Sequence, residues 1–309
     1  MKVGFIGLGT MGSSMALNLR AAGYDLVVND IRREACAPHL KAGAATWAES
    51  ARDVAEVTDV VFTSLPGPRE VEEVGLAENG LLAGMRRGTA WFDLSTNSLT
   101  LVRRLYKRFA TKGVAMLDSP VSGGPAGAKS RKLALWVSGD KVTFDHHKAM
   151  LDAIGDQAMY VGPIGSGTVA KLVHNTAGYA ILAALAEVFT LGVKAGVEPL
   201  ALWQALRQGA FGRRRTFDRL AEQFLPRLFD PPAFALKLAH KDITLATELG
   251  RELNIPLRIA TLVHEELTEA LNRGWAERDS RIFMLLQEER ADVNIAVPAD
   301  EIQKVLAHG

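Results

Sequence analysis

The amino-acid sequence predicts an α/β domain with a doubly wound, mainly parallel sheet, followed by an all-helical domain. In the first half, strand-like and helix-like segments alternate, which is typical of a parallel sheet covered by helices on both faces. In the second half, beyond Gly165, helical patterns follow one another and no further convincing strand pattern occurs. The length of 309 residues fits two domains, since about 150 residues per domain is usual.

Short apolar segments predict six strands in the first domain, which we place at residues 1–162. The segments are 3–6, 26–29, 60–64, 90–93, 115–118 and 133–138. Helical patterns lie between them at 11–22, 32–42, 50–57, 69–74 and 99–110. Because helices and strands alternate, the sheet is expected to be mainly parallel.

The second domain is expected at residues 163–290 and opens with one long helix over residues 168–195. That segment is rich in Ala and Leu, and its small residues would allow close contact between helices, so we expect this domain to form a dimer interface. Further helices are expected at 199–208, 216–224, 234–253, 257–274 and 281–289. The C-terminal tail, residues 291–309, is weakly patterned.

The composition argues against several classes of protein. Lys and Arg number 36 and Asp and Glu 35, a balance unlike that of a dedicated nucleic-acid or anionic-membrane binder. Cys36 is the single cysteine, which excludes an intrachain disulfide, and no His, Asp or Glu cluster has metal-ligand spacing. The longest apolar stretch, 172–186, is shorter than the roughly 20 residues of a membrane span. We therefore expect a soluble, cytoplasmic protein without a targeting segment, metal, nucleic-acid partner or membrane partner.

A glycine-rich turn between the first strand and the first helix has the spacing G-x-G-x-x-G. It consists of Gly7, Leu8, Gly9, Thr10, Met11 and Gly12. In this context Gly7 permits the tight turn, Gly9 lets the backbone approach a pyrophosphate, and Gly12 allows close packing of helix on strand. The helix N-terminus adds free N–H groups and a positive dipole. The turn therefore predicts a Rossmann-type dinucleotide-binding domain.

An acidic residue, Asp30, stands at the end of the second strand. Its carboxylate would accept hydrogen bonds from a ribose hydroxyl and repel a 2′-phosphate, which favours NAD over NADP. Arg32 and Arg33 follow directly and would either pair with such a phosphate or form the solvated first turn of the next helix. NADP therefore stays possible.

Two further segments contain groups suited to acid–base chemistry and to carboxylate binding. Lys171 and Asn175 lie four residues apart on the long helix, so both project from one face. A lysine partly removed from water can act as a general acid or base, and an asparagine can donate to the same substrate oxygen. The loop Ser122-Gly123-Gly124 follows a strand end, where open α/β sheets bind ligands, and could receive a carboxylate.

These three segments together resemble the β-hydroxyacid dehydrogenase family, which includes 3-hydroxyisobutyrate dehydrogenase and tartronate semialdehyde reductase and lies within the 6-phosphogluconate dehydrogenase superfamily. The segments are the glycine-rich turn, residues 118–124 and residues 165–175, and the resemblance extends to about residue 289. It implies that Lys171 is the catalytic lysine and that Lys241 reaches the cofactor or the substrate. It also implies that Leu65-Pro66 and the Ser95-Thr96 segment contact the cofactor.

The same resemblance implies a small hydroxy acid or semialdehyde substrate, a substrate-binding role for the helical domain at residues 163–290, and a homodimer or homotetramer. The sequence Lys-x-x-His-Asn, with His174, is similar to the larger 6-phosphogluconate dehydrogenase, so His174 would position substrate or border the site. Gly178 stands where that relative has the glutamate of its decarboxylating step. Oxidative decarboxylation by that route is therefore not expected.

The expected activity is hydride transfer between nicotinamide and a short 3-hydroxy acid, with Lys171 as general acid and base. Two alternatives stay open: an imine reductase-like enzyme, which generally has a different acid at this position, and a non-catalytic cofactor-binding assembly module, in which the lysine is lost. The basic run Arg213, Arg214 and Arg215 is either a solvated face or supplies one arginine to an anionic substrate group.

Overall fold

The computed structural model describes residues 1–41, 45–194, 196–209, 212–214, 217–252, 254 and 256–307. The chain divides into two compact units, Met1–Val173 and His174–Gly309. The division falls within a long continuous helix, whereas the sequence analysis placed the domain boundary before that helix, at residue 162.

The first unit contains a single sheet of nine strands. They are β1 (Lys2–Ile6), β2 (Asp25–Asn29), β3 (Ala45–Trp47), β4 (Val60–Thr63), β5 (Ala90–Asp93), β6 (Ala115–Asp118), β7 (Val121–Ser122), β8 (Ala134–Ser138) and β9 (Gln157–Gly162). Their order is β3-β2-β1-β4-β5-β6-β8-β7, with β9 paired to β8. Strands β1 to β6 are all parallel, and β8 runs antiparallel to both β6 and β7. The predicted doubly wound, mainly parallel sheet is confirmed.

Helices connect these strands. They are α1 (Gly12–Ala21), α2 (Ala37–Lys41), α3 (Ala51–Val57), α4 (Pro68–Leu76), α5 (Leu81–Gly84), α6 (Leu99–Ala110), α7 (Gly124–Ser130), α8 (Lys141–His146) and α9 (Lys148–Ile154), with a 3-10 turn at Arg33–Cys36. Strands β4 and β5 are buried along their whole length because helices cover both faces. This explains their uninterrupted apolar sequences.

Aromatic side chains in register join the central strands. Phe5, Phe62 and Phe92 occupy adjacent positions on β1, β4 and β5. Their rings stack with centroid separations of 6.3 Å and 5.2 Å, and each side chain is fully buried. A packed, rigid sheet centre of this kind fixes the positions of the loops that leave the carboxyl ends of the strands.

The second unit is helical in its described part. The long helix α10 (Ser166–Lys194) enters it from the first unit, and α11 (Pro199–Gln208), α12 (Leu236–Glu252), α13 (Arg258–Asn272), α14 (Leu285–Ala291) and α15 (Ala299–Ala307) follow. Short 3-10 turns occur at Gly212–Arg214, Phe217–Ala221 and Ser280–Met284. The only β-pairing in the described residues of this unit is an isolated bridge between Ala235 and Asp279.

Three local expectations differ from the structure. The segments 216–224 and 281–289 contain 3-10 turns where continuous α-helix was expected, and residue 216 lies outside the described residues. The weakly patterned tail forms the amphipathic helix α15, which buries Ile302 at 1% exposure. Strands β3, β7 and β9 escaped prediction; β3 and β7 have three and two residues, which are too few to show a period.

Helix α10 contains one stretch, Ser166–Ala186, that could cross a membrane by length and composition alone. It has 21 residues, a mean hydropathy of 1.2, and 28% of the stretch is buried. The expectation that the apolar stretch is too short is therefore wrong on length. A single such helix is weak evidence for a membrane span, because the core helix of a soluble protein meets the same test.

Candidate active site

The glycine-rich turn connects β1 to α1, and of its three glycines Gly9 is the one beside open space. Gly7 has a φ of 91°, and a Cβ there would lie 2.3 Å from the carbonyl oxygen of Ser64. A Cβ on Gly12 would lie 1.9 Å from the carbonyl oxygen of Gly7, whereas a Cβ on Gly9 would meet nothing within 4 Å. No side chain caps the first turn of α1, since Met11 stands at its N-cap position. The open space and the uncapped helix end fit a dinucleotide pyrophosphate.

The turn is bound at Leu8 to the carboxylate of Asp30, which follows β2 and is 9% exposed. Its Oδ2 accepts the backbone N–H of Leu8 at 2.7 Å, and its Oδ1 accepts that of Arg32 at 2.9 Å. Thr10 is exposed and Leu8 is buried. A carboxylate has about four lone-pair sites, so Asp30 retains capacity for ribose hydroxyls.

The two arginines after Asp30 face different groups. The Nε of Arg32 lies 3.8 Å from the carboxylate of Asp30 itself. The guanidinium of Arg33 lies 5.5 Å from the centre of the Trp47 ring and 3.9 Å from the carboxylate of Glu49. Both cations are therefore already placed beside protein groups.

The loops after β4 and β5 are joined by hydrogen bonds. The backbone N–H of Leu65 donates to the hydroxyl of Ser95 at 2.9 Å. Pro66 is exposed and Thr96 is half-buried. The structure thus brings together the two segments expected to contact the cofactor.

A fully buried carboxylate that the sequence analysis did not select, Asp93, holds these loops at the end of β5. It accepts hydrogen bonds from the hydroxyl of Thr63 at 2.9 Å, the backbone N–H of Ser95 at 3.1 Å and the amide of Asn97 at 2.9 Å. Burial raises the pKa of Asp93, and these hydrogen bonds oppose that rise. An acidic residue at the end of an otherwise apolar strand is the sequence signal that could have identified it.

The loop Ser122-Gly123-Gly124 runs from β7 into α7. Gly123 and Gly124 both have positive φ values, 136° and 63°. A Cβ on Gly123 would lie 2.9 Å from Leu133 Cδ2, whereas a Cβ on Gly124 would meet nothing within 4 Å. Ser122 is half-buried. The loop therefore presents open backbone beside a hydroxyl, the chemistry expected of a carboxylate site.

Helix α10 carries the expected acid–base residues. Lys171 and Asn175 are both half-buried and lie four residues apart, hence on one face, while His174 is exposed. The side-chain amide of Asn175 donates to the carboxylate of Asp242 on α12. Asn175 thereby has a fixed orientation.

Asp242 is 1% exposed and also lies 3.1 Å from the ammonium of Lys241, whose side chain is 26% exposed. Lys241 and Asn175 therefore share one buried carboxylate. Asp242 is a further residue that the sequence analysis did not select as a site residue, although it stands next to Lys241.

The basic run is described only in part. Arg213 is exposed, and its Nε donates to the carbonyl oxygen of Gln208 at 3.0 Å. Arg215 and the side chain of Arg214 lie outside the described residues. In the described part of the chain, no group of three or more His, Cys, Asp or Glu residues could hold a metal ion.

The sheet topology, the glycine-rich turn and the acidic residue after β2 define an NAD(P)-binding oxidoreductase domain. Residues 2–162 match the NAD binding domain of 6-phosphogluconate dehydrogenase. Residues 165–286 match the family described as the NAD-binding domain of NADP-dependent 3-hydroxyisobutyrate dehydrogenase. The chain belongs to the β-hydroxyacid dehydrogenase family, as the sequence motifs predict.

Individual relatives cover nearly the whole chain. The 2-(hydroxymethyl)glutarate dehydrogenase of Eubacterium barkeri is 32% identical over 96% of this chain and 98% of its own. The NAD-dependent L-serine dehydrogenase of Pseudomonas aeruginosa is 33% identical over 92% of this chain and 97% of its own. A crystal structure of a 3-hydroxyisobutyrate dehydrogenase from Salmonella typhimurium superposes with a TM-score of 0.81 at 27% identity, covering 93% and 99% of the two chains.

The protein is an NAD(P)-dependent hydroxyacid dehydrogenase, which confirms the expected enzyme class and cofactor type. The imine reductases are more distant. The enzyme from a Pseudomonas species is 18% identical, with a TM-score of 0.59, and that likeness shows a shared fold alone.

Proposed function

We propose that the protein interconverts a short 3-hydroxy acid and its semialdehyde or ketone, with Lys171 as general acid and base and NAD as the preferred cofactor. The observation that carries the proposal is the arrangement on α10. Lys171 and Asn175 share one face, and the amide of Asn175 is oriented by the buried carboxylate of Asp242. When bound, the nicotinamide accepts or returns the hydride.

Lys171 transfers the proton to and from the substrate oxygen. In oxidation its neutral amine accepts the proton of the substrate hydroxyl, and in reduction its ammonium returns a proton to the carbonyl oxygen. Asn175 has two amide hydrogens and gives one to Asp242, so the second is available to the same substrate oxygen. The substrate oxygen is thereby placed between a donor and the proton-transfer group.

The substrate carboxylate is assigned to Ser122, Gly123 and Gly124. The support is the open space above Gly124 and the neighbouring serine hydroxyl. His174 and Lys241 are assigned to substrate binding, and Lys241 also to the cofactor. The relatives named above act on small hydroxy acids, which fits a site of this kind.

The preference for NAD rests on Asp30. Its carboxylate is held at the end of β2 by two backbone N–H groups, where it would repel a 2′-phosphate. The placement of Arg33 beside Trp47 and Glu49 supports the same choice, because that guanidinium already faces a carboxylate. The other proposed cofactor contacts are made by Gly7 to Gly12, Leu65, Pro66 and Thr96.

We infer a homodimer or homotetramer and a cytoplasmic location. The support for an oligomer is α10, which exposes the apolar side chains of Val173 (61%) and Ile181 (41%). The support for the location is the single cysteine, Cys36, which is buried and reduced.

A substrate screen tests the proposed function. Short 3-hydroxy acids and matched 2-hydroxy acids are incubated with NAD and with NADP, and imines with NADH and with NADPH. The absorbance of the reduced nicotinamide is followed in each case. Turnover of one or more 3-hydroxy acids with a higher kcat/KM for NAD is expected. Turnover confined to imines, or cofactor binding without any turnover, would contradict the proposal.

A further inference from the structure

Two buried carboxylates occupy matching positions at the carboxyl ends of neighbouring strands. Asp93 ends β5 and Asp118 ends β6, and the two residues are directly paired in the strand register. Their exposed fractions are 0% and 1%. A buried carboxylate is costly unless hydrogen bonds satisfy it, so the partners of each one show what it holds in place.

The partners of Asp118 lie in the first turn of α10 and at the end of β8. Its carboxylate accepts the backbone N–H of Gly165 at 2.8 Å and that of Thr168 at 2.6 Å. The hydroxyl of Ser138 also donates to Asp118 and accepts the backbone N–H of Gly167 at 2.9 Å. Backbone N–H groups in the first turn of a helix have no partner within the helix. Here strand residues supply those partners.

Close packing reinforces this attachment. A Cβ on Gly167 would lie 2.2 Å from the carbonyl oxygen of Trp136 and 2.9 Å from that of Asp118. A Cβ on Gly165 would lie 2.4 Å from Leu99 Cδ1. The first turn of α10 therefore packs directly against β6 and β8, and Gly165, which precedes the helix, packs against α6.

Both groups of the proposed site are connected to Asp118: Lys171 through Thr168, which donates to its carboxylate, and Ser122 through the chain that follows it. Lys171 follows Thr168 by one helical turn and shares its face of α10. In the other direction, the chain passes from Asp118 through Pro120 to Ser122. A change in the hydrogen bonds of Asp118 thus acts on the lysine and on the serine loop together.

Asp93 holds a different pair of loops. It binds Thr63, Ser95 and Asn97, and Ser95 in turn accepts the backbone N–H of Leu65. These are the loops after β4 and β5, which are assigned to the cofactor. The two carboxylates therefore serve separate parts of the site.

We propose that Asp118 is a positioning residue for proton transfer, because it fixes the first turn of α10 and so holds Lys171 in register with the Ser122–Gly124 loop. Asp93 is its counterpart for cofactor binding. The inference rests on the proposed function, since it takes Lys171 as the acid–base group.

The substitutions Asp118→Asn and Asp93→Asn test this division. An asparagine at 118 keeps the volume, but in either orientation its NH₂ group faces one backbone N–H, so Gly165 or Thr168 loses its acceptor. We expect kcat of D118N to fall about 10- to 100-fold, because a small misplacement of a reacting group has effects of that size. The Kd for NAD, measured by protein fluorescence, should stay within about twofold of the wild-type value. The acid–base limb of its pH–kcat profile should shift relative to the wild type.

Asp93→Asn should mainly affect cofactor binding. We expect its Kd for NAD to rise about 10-fold and its kcat to fall less than that of D118N. Ser138→Ala removes the acceptor of Gly167 and serves if D118N does not fold; it should lower kcat about 3- to 10-fold at unchanged Kd for NAD.

The outcomes separate this inference from the proposed function. If Lys171→Ala abolishes turnover while D118N and S138A keep the wild-type kcat and pH profile, the positioning role is wrong and the proposed function stands. The separate roles of Asp118 in proton transfer and Asp93 in cofactor binding are also wrong if D118N and D93N weaken NAD binding equally. If K171A turns over normally, the proposed function and this inference both fail.

Discussion

Asn175 and Asp242 form a buried pair in which the side-chain amide of Asn175 donates to a carboxylate that is only 1% exposed. The pair links α10 to α12, and Lys241 lies 3.1 Å from the same carboxylate. A carboxylate accepts only, so the NH₂ group of Asn175 must face Asp242, which leaves no ambiguity in the orientation of the amide.

Asp242→Asn should impair catalysis because an asparagine partner no longer dictates which end of the Asn175 amide it binds. We expect kcat/KM to fall about 10- to 100-fold, the loss of roughly 1.4–3 kcal/mol of transition-state stabilisation. Steady-state kinetics checks this. The control is Glu277→Gln. It removes an exposed ion pair with Lys237, which lies on α12 like Asp242, and should change kcat/KM less than about twofold. Equal effects of the two changes would remove any special role for Asp242.

Cofactor preference should depend on Asp30. Thermal stability should rise more with NAD than with NADP at equal concentration, because a ligand bound only by the native state stabilises it in proportion to its affinity. Asp30→Ser should reduce this difference, with Asp25→Asn, an exposed residue of the same strand, as the control. If the thermal stability of the wild type rises more with NADP than with NAD, the role of Asp30 is wrong and Arg32 or Arg33 binds the 2′-phosphate.

His39 should make the protein less stable at mildly acid pH. The residue is fully buried, its Nε2 lies 3.0 Å from the Ser13 hydroxyl, and burial lowers its pKa. The pKa of His39 is lower in the folded than in the unfolded protein. Its contribution to the free energy of unfolding is therefore fully present above pH about 6.5 and is lost as the pH falls below that value.

His39→Gln keeps an acceptor for Ser13 and removes the titration, so its Tm should fall less than that of the wild type between pH 7.5 and 5. The exposed His146→Gln serves as the control and should follow the wild type. Parallel curves for wild type and H39Q would contradict the assignment.

Arg213→Ala should leave kcat/KM within about twofold, because an exposed charge contributes at most ~1 kcal/mol. The structure supports this expectation, since the Arg213 guanidinium is exposed and binds a backbone carbonyl. If Arg214 or Arg215 binds a substrate anion, its removal should cost about 30- to 1000-fold, and lysine should restore only part of the loss. Three near-silent substitutions, measured on the true substrate, would assign the whole run to the surface.

The sequence predicted the parallel sheet because its central strands are short apolar segments, and β4, β5 and β6 each end in a polar residue. The glycine-rich turn was predictable because its spacing is contained in six consecutive residues, and the contact that requires Gly12 is with the carbonyl oxygen of Gly7 in the same turn. Asp93 was not selected, although it ends an apolar strand, and Asp242 was not selected because its partner Asn175 lies far away in sequence. Helix α15 was missed because its amphipathic pattern is short and follows an irregular segment.

The turnover of Lys171→Ala tests the central claim most directly. With NAD and the best 3-hydroxy acid of the screen, kcat should fall about 10²- to 10⁴-fold, the usual contribution of a general acid–base group. The Kd for NAD should stay within about twofold of the wild-type value. Lys194→Ala, which changes an exposed lysine of the same helix, should retain full activity. A K171A variant with near-wild-type kcat would contradict the account.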